Sequence, residues 1–532
     1  MKIITGEEAA ALVQSESTLA VCGFGGRGAP DYLLKSLNDR FERTGSPRAL
    51  FLCFGIGTGD PSVRQHGLNE LRHRELIGRV LCAHVKDAPL LAGWIAENAF
   101  PAYALPLGIV AELFRAQGRR LPGVLTTVGK GSFADPEQEG CRLNEKAETD
   151  SFQPVSAISL FGEDYLFYHS FPVHTCFLRA SFSDPEGNIS DVREPLYLEQ
   201  LEIAAAVKAS GGTVVVQVEK ILDAGEMRNR DVILHKSLVD YVVVSDPAYH
   251  TQGYDRPDFL PELNCATGKA DLRRTFQSMP LNARKVCARR AALELFPGSV
   301  VNVGIGIPDG VSSVAIEEGI DSSVVFTVES GVIGGEPVAG LGFGPSAYFE
   351  ARFKMSEMLS LYQGGYLDQT FLGAAEIDEE GNVNVSSFHG SAVGPGGFVD
   401  ISQNTENIYF LSSFCAVGCD LAVDDGKIRI LREGLQKKFI KKVRQITFSA
   451  REAERKHQNV MYITERAVFR LVDGALLLTE IAPGLDLKRD ILDQMAFRPK
   501  IDPSLRIMDT RIFSEGLMGL REEWTQREHE KK

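Results

Sequence analysis

Two stretches of this 532-residue chain carry the same landmarks in the same order, and that repetition constrains the fold more than any single motif. The first opens with a helical pattern from Glu7 to Gln14 and an apolar strand from Thr18 to Cys22. The strand runs into Gly23-Phe24-Gly25-Gly26-Arg27-Gly28-Ala29-Pro30-Asp31, and a further helix follows. The second opens with a helix from about Ala283 to Leu295 and a strand from Ser299 to Val303. Gly304-Ile305-Gly306-Ile307-Pro308-Asp309-Gly310 and another helix come next. In both, Pro-Asp stands where a helix begins, which suits a fixed φ and a negative charge at the helix's positive end. Downstream, Asp184-Pro185-Glu186-Gly187-Asn188-Ile189 matches Asp378-Glu379-Glu380-Gly381-Asn382-Val383, each reading as a tight turn between strands. The length exceeds what one hydrophobic core supports. The expectation is two duplicated domains, residues 1–275 and 283–520, joined through the polar stretch Lys269 to Asn282 and followed by a charged tail, 521–532, read as a solvated helix end.

Short continuous apolar runs, at 49–54, 213–218 and 324–328, alternate with helical patterns and so predict buried parallel strands in an α/β fold. Asp425-Gly426 and Asp473-Gly474 add antiparallel hairpins late in the chain.

The net charge of -14 argues against nucleic acid or an anionic membrane as the main partner. Clustered backbone N–H groups can still hold a small anion. The cysteines are single except for Cys415 and Cys419, which lack the second pair or histidine that zinc needs, so no metal site is expected and the thiols read as reduced. The N-terminal segment has acidic residues and no apolar core, and no apolar run approaches the roughly eighteen residues of a membrane span. A cytoplasmic enzyme is the expectation.

Gly23-x-Gly25-x-x-Gly28 satisfies the dinucleotide fingerprint as a string, but the next strand ends in Gly55-Ile56-Gly57-Thr58-Gly59 where an acid is required. Lys130 has the wrong spacing for a phosphate loop and reads as a surface lysine. Glu329 differs in kind: it ends the apolar strand Phe326-Thr327-Val328 and precedes Ser330-Gly331, and strand ends are where open α/β sheets place ligands. Read on local sequence alone, a solvated turn glutamate is the favoured reading. The loop Gly394-Pro395-Gly396-Gly397-Phe398 can leave N–H groups free for an oxyanion, or be a plain loop.

Together and in order, these segments resemble the family I CoA-transferases, of the single-chain acetate or short-chain acyl-CoA:3-ketoacid type. The resemblance also takes in Gly364-Gly365-Tyr366-Leu367-Asp368 and Tyr462 to Phe469. It implies two similar α/β domains with the active site at their junction, and Glu329 as a nucleophile that carries CoA as a glutamyl thioester in a ping-pong reaction. It further implies an oxyanion and CoA site at Gly394, Gly396, Gly397 and Phe398, and a CoA-binding loop at Gly304, Ile305, Gly306 and Ile307. Acyl-CoA and a small carboxylate are the implied substrates, CoA the only co-substrate, and a homodimer or homotetramer the implied assembly.

The chain departs from that pattern at Leu107. The family usually has Pro-Gln-Gly there, with the glutamine as an oxyanion donor; here Pro106-Leu107-Gly108 offers no side-chain donor. Leu107 is therefore expected to alter the acceptor preference, and an acyl-CoA hydrolase using the same glutamate is the alternative. Residues Leu160 to Phe171 are candidates for the acyl pocket, or ordinary core.

Overall fold

The computed structural model describes residues 2–264, 278–388 and 391–530, so part of the expected join lies outside the described residues. Two large sheets organise the chain. The first has eight strands: β1 (Lys2–Ile3), β2 (Thr18–Val21), β3 (Leu50–Cys53), β4 (Ile77–Cys82), β5 (Ala102–Ala104), β6 (Thr175–Arg179), β7 (Thr213–Val218) and β8 (Tyr241–Val244). Their spatial order is β1-β8-β7-β6-β2-β3-β4-β5, and every neighbouring pair is parallel. The second sheet has ten: β9 (Val300–Val303), β10 (Val325–Val328), β11 (Val332–Ile333), β12 (Ala351–Arg352), β13 (Gln369–Gly373), β14 (Asn407–Leu411), β15 (Asn459–Ile463), β16 (Ala467–Val472), β17 (Ala475–Ile481) and β18 (Lys500–Ile507). They run β12-β11-β10-β9-β13-β14-β15-β16-β17-β18.

The duplication is visible in these orders. Five parallel strands recur, β8-β7-β6-β2-β3 in one half and β15-β14-β13-β9-β10 in the other. Their registers agree as well. Leu19 of β2 lies opposite Leu52 and Thr175, and Val301 of β9 lies opposite Phe326 and Gln369. Counting on from Leu52 and Phe326, Gly55 and Glu329 occupy the same place, one to two residues past their strands. The halves differ at the edges. The first continues with parallel strands β4 and β5, whereas the second continues with the antiparallel β11 and β12.

Strand alternation sorts the side chains into layers. In the first half Leu19, Val21, Leu52 and Phe54 face a core under that half's own helices, whereas Ala20, Cys22 and Cys53 face a second core. In the second half Val301, Val303 and Phe326 line an outer core. The inner core is continuous between the halves, holding Leu107 and Leu198 beside Tyr362 and Phe398. The same alternation directs Asn302, Thr327 and Glu329 inward.

The two aspartate turns match in detail. Asp184 Oδ1 accepts the N–H groups of Glu186, Gly187 and Asn188. Asp378 Oδ1 accepts those of Glu380 and Asn382. Both hairpins form with left-handed Asp-Gly pairs: φ is 49° and 72° at Asp425 and Gly426, and 50° and 66° at Asp473 and Gly474. The charged tail belongs to a helix, Leu520–Glu530, in which Arg521, Glu522, Thr525 and Gln526 are exposed while Trp524 packs against the outer core of the second half.

Candidate functional site

Glu329 lies half-buried where the C-terminal ends of the two sets of parallel strands meet, with its Oε2 covered. Helix α1 (Leu107–Gly118) begins at the end of β5, and helix α2 (Gln200–Ala209) precedes β7. In the second half α3 (Gly310–Glu318) follows β9, α4 (Met355–Gln363) precedes β13, and α5 (Phe398–Ser402) precedes β14. The segment from Val393 to Gly397 is sewn into the first half by backbone bonds. Val85 N–H donates to Val393 O at 2.8 Å, Gly396 N–H to Ala83 O at 2.9 Å and Leu107 N–H to Gly396 O at 3.0 Å. A side chain on Gly394 would strike Ala83 O at 2.3 Å, and its φ of +82° is left-handed, so glycine is required there.

Gly397 lies directly against the glutamate: a methyl group added to it would stand 3.2 Å from Glu329 Cγ. The neighbouring N–H groups are not equivalent. Those of Gly394, Gly396 and Phe398 are taken up by the carbonyls of Ser386, Ala83 and Pro395. Gly397 N–H has no partner among the described residues and is the one donor of the four left for a ligand. The sequence pattern, which offered all four residues alike, could not make that distinction.

Glu329 Oε2 is buried without a hydrogen-bond partner. Burial pushes its carboxyl up to about 7, opposed by its own backbone N–H and the Asn302 amide and reinforced by the charge of Asp400. Asn302 is braced in turn. Its Oδ1 accepts the Thr370 hydroxyl at 3.3 Å, and Tyr362 donates its hydroxyl to Thr327 Oγ1 at 2.7 Å in the same layer. Asp400 joins the halves by accepting Gly108 N–H at 3.0 Å and the Gln363 amide at 2.7 Å. Burial holds Asp400 near 7 even against those donors.

Asn302, Tyr362 and Asp400 were missed from sequence. Asn302 was recoverable from strand alternation, being two residues before Gly304 and inward-facing, whereas nothing local marked Tyr362 or Asp400.

The Gly304–Ile307 loop lies at the end of β9, the strand beside β10. Ile305 is 54% exposed, and Ile307 is partly buried against the outer core. Arg284 donates to Gly306 O at 2.6 Å and pairs with Asp309, fixing the loop at the surface. Leu107 is fully buried as the first residue of α1. Lys130 lies 3.5 Å from Asp164 O, away from these groups. The stretch Leu160 to Phe171 forms an antiparallel hairpin: Leu160 and Phe161 project at its tip, whereas Leu166, Tyr168 and Phe171 are core.

An inward carboxyl with one covered oxygen, a free N–H beside it and an exposed glycine loop on the next strand are the groups that the fold brings together here. The comparisons with known proteins define the class. A family model described as Coenzyme A transferase matches residues 3–245 and 285–485, and the chain belongs to that family. Caffeate CoA-transferase of Acetobacterium woodii is 39% identical over 528 residues, covering 98% of each chain. Acetate CoA-transferase YdiF of Escherichia coli (strain K12) is 38% identical over 520 residues, covering 97% of this chain and 96% of the relative. Crystal structures of the acyl-CoA transferase YdiF from Escherichia coli O157:H7, as apoenzyme and as a thioester complex with CoA, each match with a TM-score of 0.90 at 36% identity over 97% of both chains. Among the described residues no helix is long and apolar enough to cross a membrane.

Proposed function

We propose that the enzyme transfers coenzyme A from an acyl-CoA to a small carboxylate, with Glu329 as the nucleophile. The observation that carries this reading is the half-buried Glu329 carboxyl, its Oε2 covered and unpaired and Gly397 packed on its Cγ. The ionised carboxylate attacks the thioester carbonyl, giving a mixed anhydride and CoA thiolate. The thiolate then attacks the glutamyl carbonyl, so that the acyl group leaves as a free acid and Glu329 holds CoA as a thioester. An incoming carboxylate reverses both steps. The thioester bond is never surrendered to water, and the covered Oε2 of Glu329 supports that exclusion.

Each tetrahedral intermediate carries an oxyanion, and Gly397 N–H is the free donor for it; such a donor contributes about 10²–10³ in rate. The exposed backbone of Gly304 to Ile307 is assigned to CoA. Asn302 orients Glu329, and Asp400 positions the glycine loop against α1. Leu107, lacking a side-chain donor, is assigned to the acceptor side. The domains are assigned as 1–275 and 283–520 with the tail 521–532. A cytoplasmic homo-oligomer is part of the same proposal and rests on the family resemblance. Hydrolysis is the weaker reading, since the relatives above carry transferase names.

Intact-mass measurement after incubation with acetyl-CoA alone tests the mechanism. The expected result is a CoA adduct on the peptide containing Glu329, absent in Glu329→Gln. Undiminished turnover in Glu329→Gln, with no adduct in the parent protein, would sink the proposal. Release of acetate without an acceptor would point to hydrolysis.

A further inference from the structure

The repeat places a second carboxyl group opposite the first. Glu329 follows β10 and packs against Gly397, which caps the N-terminus of α5, the helix before β14. In the other half Gly55 holds the place of Glu329 after β3. The helix before β7 is α2, and its N-cap is Glu199. Strand-end acid against helix-cap glycine in one half has become strand-end glycine against helix-cap acid in the other. The closeness is the same, since a methyl group on Gly55 would stand 3.2 Å from Glu199 Oε1, as one on Gly397 would from Glu329 Cγ.

Glu199 is 1% exposed, and neither of its oxygens has a hydrogen-bond partner. Burial raises its carboxyl to about 8, opposed by its own backbone N–H and reinforced by Glu202, so at neutral pH it is mainly an uncharged acid with one O–H donor and free acceptor sites. Cys22, Cys53 and Leu107 surround it with weak or absent hydrogen-bonding capacity. A buried acid with two idle oxygens costs stability unless something else uses it. Leu107 separates it from the glycine loop: Leu107 Cδ1 would be 3.0 Å from the same methyl on Gly55, while Leu107 N–H holds Gly396 O at 3.0 Å.

We propose that Glu199 is a specificity-determining residue that reads a hydroxyl group on the short chain of the carboxylate or acyl substrate, with Leu107 as the apolar cover that turns aside to admit it. A hydroxyl both donates and accepts, which is what a protonated carboxyl offers in return, whereas a plain alkyl chain leaves Glu199 unpaired. The assignment rests on the transferase reading above, which puts the reacting groups at Glu329 and assigns Leu107 to the acceptor side.

The test compares kcat/KM for paired acceptors in the full-length enzyme with acetyl-CoA as donor: 2-hydroxypropionate against propionate, and 3-hydroxybutyrate against butyrate. In the parent enzyme the hydroxylated member of at least one pair is expected to be favoured by about tenfold, the value of one buried hydrogen bond. Glu199→Gln, which keeps a donor and an acceptor, retains most of that ratio, and Glu199→Leu brings it to about one. Gly55→Ala, which crowds Glu199 without altering its chemistry, lowers the ratio part of the way. A ratio near one for both pairs in the parent enzyme overturns the assignment, as does an undiminished ratio in Glu199→Leu or, should that variant not fold, in Gly55→Ala. Adduct formation on Glu329, measured in the same preparations, reports separately on the transferase reading.

Discussion

The two halves share five strands in one order and register, yet they place their acid on opposite partners: Glu329 on the strand end facing Gly397, Glu199 on the helix cap facing Gly55. The difference teaches that the repeated framework specifies a meeting point of strand end and helix cap, while one glycine per pair makes room for whichever side chain occupies it. The surroundings then set the chemistry. Glu329 has a buried amide, Asn302, beside it and a free N–H at Gly397, so its charged form has support. The register equivalent of Asn302 is Ala20, which gives Glu199 no such neighbour.

The sharpest way to break this comparison is to fill the two glycine positions in turn. Gly397→Ala pushes a methyl group onto the Glu329 stem, at 3.2 Å, and displaces the adjoining N–H. Its kcat is expected to fall about 10²-fold, the scale of a lost oxyanion donor. Gly55→Ala meets the end of a flexible leucine and a carboxyl oxygen, and steady-state kinetics should show a markedly smaller loss. Equal losses would mean that the halves are not functionally distinct.

The pH dependence of stability sharpens the same contrast. Glu329 is raised from 4.5 to about 7 by folding, so the folded state binds more protons than the unfolded state between those values, and stability falls as pH rises through that window. Glu329→Gln removes that loss. Its stability relative to the parent is expected to be about 1–3 kcal/mol greater at pH 8 than at pH 4.5, measured by denaturant titration at both. The catalytic counterpart has the opposite sign: kcat/KM of the parent should rise with pH through about 7, as the nucleophilic carboxylate forms.

The smallest effect is expected at the boundary between the two carboxyl sites. Leu107→Gln puts an amide within reach of Glu199 or the cleft, and should change the ranking of carboxylate acceptors by about threefold to tenfold in kcat/KM, the value of a gained or lost hydrogen bond. An unchanged ranking and rate would remove Leu107 from the acceptor site.

Much of this architecture was legible in the residues. The run from Thr213 to Val218 is a strand over those very residues, and the two Asp-Gly pairs form hairpins, because continuous β-branched runs and left-handed turns are local properties. Glu329 stood out as an ionisable residue closing an apolar strand. The covering of its Oε2 was not legible, since a strand end reads as a surface turn until another body meets it. The glycine loop was readable as a loop, but which N–H remains free depends on carbonyls such as Ala83 O, more than three hundred residues away in the chain.

The sequence by itself determined the repeat, the α/β class, the turns and the residue types able to do acyl chemistry, because strand periodicity, glycine freedom and side-chain chemistry are written within a few neighbouring positions. Only the tertiary structure decided that Oε2 of Glu329 is covered, that Asp400 ties Gly108 to Gln363, and that Glu199 lies idle beside Leu107. Those outcomes arise where the strand ends of two halves are pressed together, and burial, the force that shifts a carboxyl from its ordinary range, belongs to that contact and to no segment alone.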